Sequence, residues 1–164
     1  MKPSDLIAQL QEFSRDKLAM LERHVAGARR VTSYEFNNAY QYIINREEAQ
    51  VVWLHEALTD LGGSLPAAAP ALALPSESRG DADERAVIAS DVEHAKAFLA
   101  RWQPRVASLS HARLRKVMQV VLGETVEQCR FFEQMLEGRD DVLGRRPAGI
   151  GTGGGVLPVR WIKQ

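Results

Sequence analysis

Between Gly62 and Gly80 the chain reads GGSLPAAAPALALPSESRG, and this stretch constrains the fold more than any other. It is too broken by proline to be helix or central strand, and it separates two pairs of helical segments. Within each pair the helices are joined by only a few residues, which makes each pair an antiparallel hairpin. About 18 extended, proline-rich residues at about 3 Å each can run the length of a helix of about 27 residues, roughly 40 Å. The linker therefore allows a crossover that sets the second and third helices parallel. A loop of this length would otherwise count against a compact domain.

The four segments are defined by apolar residues recurring at helical period. In the first, Ser4 is the candidate N-cap, and Leu6, Ile7, Leu10, Phe13, Leu18, Leu21 and Val25 form the expected stripe before a break at Gly27. The second starts at Thr32 or Ser33 and carries Phe36, Tyr40, Ile43, Ile44, Glu47, Gln50, Val51, Leu54, Ala57, Leu58 and Leu61. It stops at Gly62-Gly63, a C-terminal signal. The third runs from Asp81 to Ala107, with Ile88, Val92, Ala95, Leu99, Trp102 and Val106 inward and Pro104 in its last turns as a potential kink. The fourth follows Ser110 and carries Leu114, Val117, Met118, Val121, Leu122, Thr125, Gln128, Cys129, Phe132, Met135 and Leu136 to an end near Gly138. Strict alternation of a strand appears only in VLPVRWI, residues 156–162. The expected fold is all-α: an antiparallel four-helix bundle over residues 1–138 with one long crossover between helices two and three, and a Gly-rich tail over 139–164.

Charge and cysteine content narrow the function classes. Twenty-one basic and 21 acidic residues cancel, so there is no electrostatic footprint for nucleic acid. The single cysteine, Cys129, permits neither an internal disulfide nor a CxxC metal site. The N-terminus mixes charge into every turn, and the longest apolar run is short and broken by proline. These features read as a soluble, cytoplasmic chain with no membrane partner.

The two hairpins also resemble each other. Shifting the second helix by 78 positions lays Tyr40, Ile43, Glu47, Gln50, Leu54 and Ala57 over Met118, Val121, Thr125, Gln128, Phe132 and Met135. Apolar spacing alone matches between any two core helices, but here a polar pair interrupts both stripes at the same depth, which marks a degenerate internal repeat.

REEAQVVWLHEALTDLGG, residues 46–63, resembles the second helix of rubrerythrin-like and ferritin-like proteins, and ETVEQCRFF, residues 124–132, resembles their fourth. The resemblance is one of pattern over residues 3–138. It implies a bundle in which two helices each give a Glu-x-x-His pair and the other two each give a Glu, together holding two iron or manganese ions for peroxide or oxygen chemistry. Residues three apart share a helix face, so a carboxylate and an imidazole at that spacing can grip one metal.

The sequence departs from this pattern at most positions. Helix two keeps Glu47 but has Gln50 where the His would stand, and helix four has Thr125 and Gln128. Helix three offers Asp91, or Val92 in its place, and helix one offers Ser14 or Lys17. Glu48, Glu124 and Glu127 lie one residue off the inward register. The vestigial metal candidates are Glu47, Asp91 and Glu124; the competing reading makes Glu47, Gln50, Thr125 and Gln128 a core polar network that fixes register. A buried Glu47 should have a raised pKa unless Lys17 or an arginine pairs with it.

His24, His55, His94 and His111 read as exposed helix histidines, with Asp91 and His94 a weak pair at three-residue spacing, and Cys129 as a buried inert thiol. Gly149, Gly151 and Gly154 satisfy GxGxxG without the strand and helix its phosphate-cradling needs. The tail instead suggests a glycine linker leading to an apolar, basic arm, VLPVRWIKQ, that docks within a homodimer, the first choice, or on the protein's own bundle or a separate partner. The expected function is a non-catalytic binding or interaction module that takes no cofactor. The alternative is a di-iron or di-manganese oxidoreductase.

Overall fold

The computed structural model describes residues 3–66 and 70–144; the arm at 156–162 and its expected strand lie outside them. Among these residues four helices follow one another: α1 (Pro3–Ala28), α2 (Tyr34–Asp60), α3 (Asp81–Ala107) and α4 (Ala112–Leu136). Helix α1 packs on α2 and α3, and α4 packs on α3 and α2, so α1 and α4 stand on one diagonal and α2 and α3 on the other. Three contacts fix the directions. Arg113 at the start of α4 pairs with Asp60 at the end of α2, and Arg105 at the end of α3 pairs with Glu12 in the early turns of α1. Glu84 in the first turn of α3 accepts the Thr32 and Ser33 backbone N–H groups, both at 2.8 Å, at the entry to α2. Helices α2 and α3 therefore start at the same end, and the crossover spans the bundle between them.

The crossover is held from α1. Arg23 Nη1 donates to the Ala73 carbonyl, and Arg30 Nη1 donates to the Pro75 carbonyl at 2.7 Å while its guanidinium pairs with Asp83. Leu72 and Leu74 pack on the core from the same segment. These contacts explain how a proline-rich linker lies on the bundle without secondary structure of its own.

Helix ends follow local chemistry. Ser33 caps α2 by accepting the Phe36 N–H, and the His111 ring does the same for Leu114 at the start of α4. Gly62 and Gly138 take positive φ just past α2 and α4, conformations that favour glycine. Gly27 is not the stop expected of it, since α1 continues through Ala28. A Cβ at Gly27 would come within 3.0 Å of Val87 Cγ1, so the glycine serves the close approach of α1 to α3. Helix α3 also runs on through Pro104 to Ala107.

The expected stripe on α1 needs correction. Leu18 and Leu21 are only partly buried and Val25 is exposed. The buried positions include Leu6, Leu10, Phe13, Lys17, Met20, His24 and Ala28, a 3-4 spacing in which polar residues occupy core sites. With that register the repeat extends to both hairpins. A shift of 78 carries Leu6, Leu10, Phe13, Lys17, Met20, His24, Ala28 and Val31 onto Glu84, Ile88, Asp91, Ala95, Phe98, Trp102, Val106 and Leu109, and all of them are buried. Arg46 and Glu124, also 78 apart, pair with each other, as repeat-equivalent residues must where they meet on a pseudo-twofold axis. Beyond Gly138 the chain stays on the bundle, with Val142 buried and Leu143 packed against the core.

Candidate functional site

The centre of the bundle holds charge. On the inner face of α1, Lys17 Nζ donates to Glu47 Oε1 of α2 at 2.7 Å, and about two turns later His24 Nδ1 lies 2.7 Å from Glu47 Oε2. Arg23 Nε donates to Asp91 Oδ1 of α3 at 2.6 Å, and the Tyr40 hydroxyl donates to Asp91 Oδ2. His24 Nε2 stands 3.9 Å from Asp91 Oδ1, so its ring lies between the two carboxylates. The side chains of Lys17, Arg23, His24, Glu47 and Asp91 have no solvent exposure. Phe132 packs against both the His24 and Tyr40 rings at 5.3 and 5.2 Å, and Lys17 Nζ lies 5.8 Å from the Phe98 ring.

Burial works against the charges of Glu47 and His24, and pairing overrides it for both. Burial alone would raise the Glu47 carboxyl, but His24 and Lys17 pull it down to about 2. Burial alone would lower His24, yet Glu47 first and Asp91 second raise it above the ordinary imidazole value. The Tyr40 hydroxyl is pushed well above its usual range by burial and by the charge of Asp91, which keeps it a donor. When His24 carries its proton, it stands with Lys17 and Arg23 as three cations around two carboxylates. The condition set for Glu47 is met, because Lys17 pairs with it.

The remaining candidates take other places. Glu124 is half-buried between Arg46 and Gln50, each of which donates to it, so it faces α2 sideways and does not join Glu47 and Asp91. Gln50, Thr125 and Gln128 are buried as expected, yet with Glu47 they do not form one network. Thr125 Oγ1 turns back to the Val121 carbonyl at 2.9 Å, and neither polar atom of the Gln128 amide has a partner. Ionic partners of Glu47 outcompete neutral amides, and Gln50 is drawn to the carboxylate of Glu124. Ser14 likewise bonds back to the Leu10 carbonyl at 2.8 Å. Glu48 and Glu127 are exposed.

Among the histidines, His24 is wholly buried, contrary to expectation. His94 places Nδ1 2.7 Å from the Ser90 carbonyl and makes no pair with Asp91. Cys129 is buried, and burial raises its thiol. Arg23, His24 and the hydroxyl of Tyr40 are the site residues that sequence reasoning missed. The signal for His24 was the spacing of Leu10, Phe13, Lys17, Met20 and His24, which keeps the 3-4 rhythm only if charged residues count as core.

Comparison with known proteins bears on the fold. Among solved structures, the chain is similar to a ferritin-like, diiron-carboxylate protein from Bacillus anthracis str. Ames, with a TM-score of 0.67 at 15% identity, over 83% of this chain and 99% of that one. The fold is ferritin-like. No family model matches the sequence, and no curated protein matches it. The ferritin-like bundle here places no group of three His, Cys, Asp or Glu side chains so as to hold a metal ion, among the described residues. No helix among them is long and apolar enough to cross a membrane.

Proposed function

We propose that this ferritin-like bundle is a non-catalytic scaffold whose central polar site is closed by ion pairs and takes no metal. The observation that carries this reading is the ammonium of Lys17 within 2.7 Å of Glu47, in the place where the fold's metal-binding relatives need a further carboxylate. A cation fixed by the protein occupies the ligand's coordination side and repels a second cation. Asp91 is likewise committed to Arg23 and Tyr40, and Gln50, Thr125 and Gln128 offer only neutral oxygens, poor ligands for hard divalent ions. The residues present therefore do not fit a pair of iron or manganese ions, and the chain's role lies in what its surface binds.

Thermal unfolding with and without excess manganese(II) tests this. A ligand that binds only the folded state at 100 times its Kd stabilises by about 2.7 kcal/mol, which would raise the midpoint by several degrees. The proposal expects no shift. A rise that vanishes in Glu47→Ala would favour the di-metal oxidoreductase.

A further inference from the structure

We propose that the groove between α2 and α4 is the docking site for residues 156–162, VLPVRWI, of the same chain. The groove lies along the antiparallel α2–α4 pair and opens into a cavity at each end. One, of about 320 Å³, is lined by Trp53, Ala57, Leu61 and Val117. The other, of about 420 Å³, is lined by Tyr42, Phe131, Val142 and Leu143. Trp53 and Phe131 are repeat equivalents, as are Tyr42 and Val120, which are 45% and 50% exposed on this face. The groove is thus a two-ended surface built by the internal repeat, its apolar side chains edged by Glu56, Asp60, His111 and Arg113 at one end and Glu127 at the other, with the Arg46–Glu124 pair at its waist.

Three observations select this occupant. Val142 and Leu143 already line the second cavity, so the described chain ends, at Gly144, on the wall of the groove. Residues 145–155 comprise eleven positions, five of them glycine, and at about 3.3 Å per residue they reach at most roughly 36 Å, close to the length of either helix. The segment they lead to has one charge, Arg160, among six apolar residues, and residues 145–164 contain Arg145, Arg146, Arg160 and Lys163 but no acid. The groove rim presents Glu56 and Glu127, neither held by a basic side chain among the described residues. Apolar surface matches apolar surface, and basic matches acidic. The short tether gives a high effective concentration, which favours the chain's own arm over a neighbour's.

The test is photo-crosslinking in the full chain with Trp161→p-benzoylphenylalanine, using a mixture of isotopically heavy and light protein and mapping adducts by mass spectrometry. Expected are adducts within one chain, on residues 42–61 along α2 and its C-cap, 117–131 of α4 or 142–143 beyond it. Adducts that join heavy to light chains would overturn docking in the same chain, and adducts elsewhere, or none, would overturn the groove. A charge exchange keeps the idea falsifiable without touching the core. Glu127→Arg and Arg160→Glu should each lower the groove adduct, and the two together should restore it; equal yields in all four chains would contradict the proposal. Phe131→Asp should lower the yield about ten-fold, the scale of losing one buried aromatic ring, with circular dichroism confirming the helices remain.

Discussion

Lys17 and Glu47 are thirty residues apart in sequence and meet at 2.7 Å, with neither side chain exposed to solvent. Two charges this deep are stable only as a pair, because each alone would bear its full desolvation cost. Lys17→Met should therefore destabilise the bundle, by up to about 3–5 kcal/mol, the range for removing one partner of a buried pair, with His24 left as the remaining partner of Glu47. Lys17→Met with Glu47→Leu should recover most of that loss, since apolar replacement of a buried pair is often neutral or stabilising. Urea denaturation of the two variants at neutral pH measures both effects.

The pH dependence has two limbs. Glu47 is held down at about 2 in the folded state against an ordinary 4.5, so its contribution is present above pH 4.5 and is lost as pH falls towards 2. His24 is raised above 6.5, so its contribution is full below pH 6.5 and is lost as pH rises through its folded value. Stability should decline from mildly acidic to alkaline pH with a slope no steeper than about 1.4 kcal/mol per pH unit, the limit for one proton. His24→Gln should flatten that alkaline limb. An unchanged slope in His24→Gln would show that the imidazole stays neutral between Glu47 and Asp91.

Gln128 is a polar residue the core would be more stable without. Its side-chain nitrogen and oxygen are both buried and unpartnered, and a buried amide without partners costs about 1–3 kcal/mol. Gln128→Leu should raise stability by about 1 kcal/mol or more, where most core substitutions lower it. Thermal unfolding monitored by circular dichroism reads the sign directly.

The crossover depends on arginine. Arg30 holds the Pro75 and Ser76 carbonyls and Asp83, so Arg30→Ala should release the segment between α2 and α3. Limited proteolysis should then cut within residues 64–80 several-fold faster than in the parent chain, with helix content unchanged. Cleavage at the parental rate would place the hold on Arg23 and the leucines alone.

Most of the fold was legible because its signals are local. Gly62 and Gly138 mark helix ends, Ser33 marks a start, and the proline spacing between residues 62 and 80 announces a segment that must cross the bundle. The inner face of α1 was not legible in the same way. Leu18, Leu21 and Val25 offer a plausible apolar stripe, and only tertiary pairing makes Lys17, Arg23 and His24 core residues. Hydrophobic periodicity cannot register a charge that is buried because its partner lies on another helix. Glu47 was recognisable as an inward acid from its helix phase, whereas Asp91 stood open against Val92 until the structure showed it buried. Their partners were not, since nothing in the spacing of α1 ties Arg23 to Asp91 across 68 positions. For the same reason the repeat was visible in α2 and α4, where apolar residues carry the register, and hidden in α1 and α3.

The central claim is that ion pairs close the ferritin-like core to metal, and metal content tests it most directly. The full chain is incubated anaerobically with ferrous iron, freed of unbound metal by gel filtration without chelator, and measured by inductively coupled plasma mass spectrometry beside Glu47→Ala. Background iron in both proteins is the predicted result. Near-stoichiometric iron in the parent chain that is lost in Glu47→Ala would contradict it.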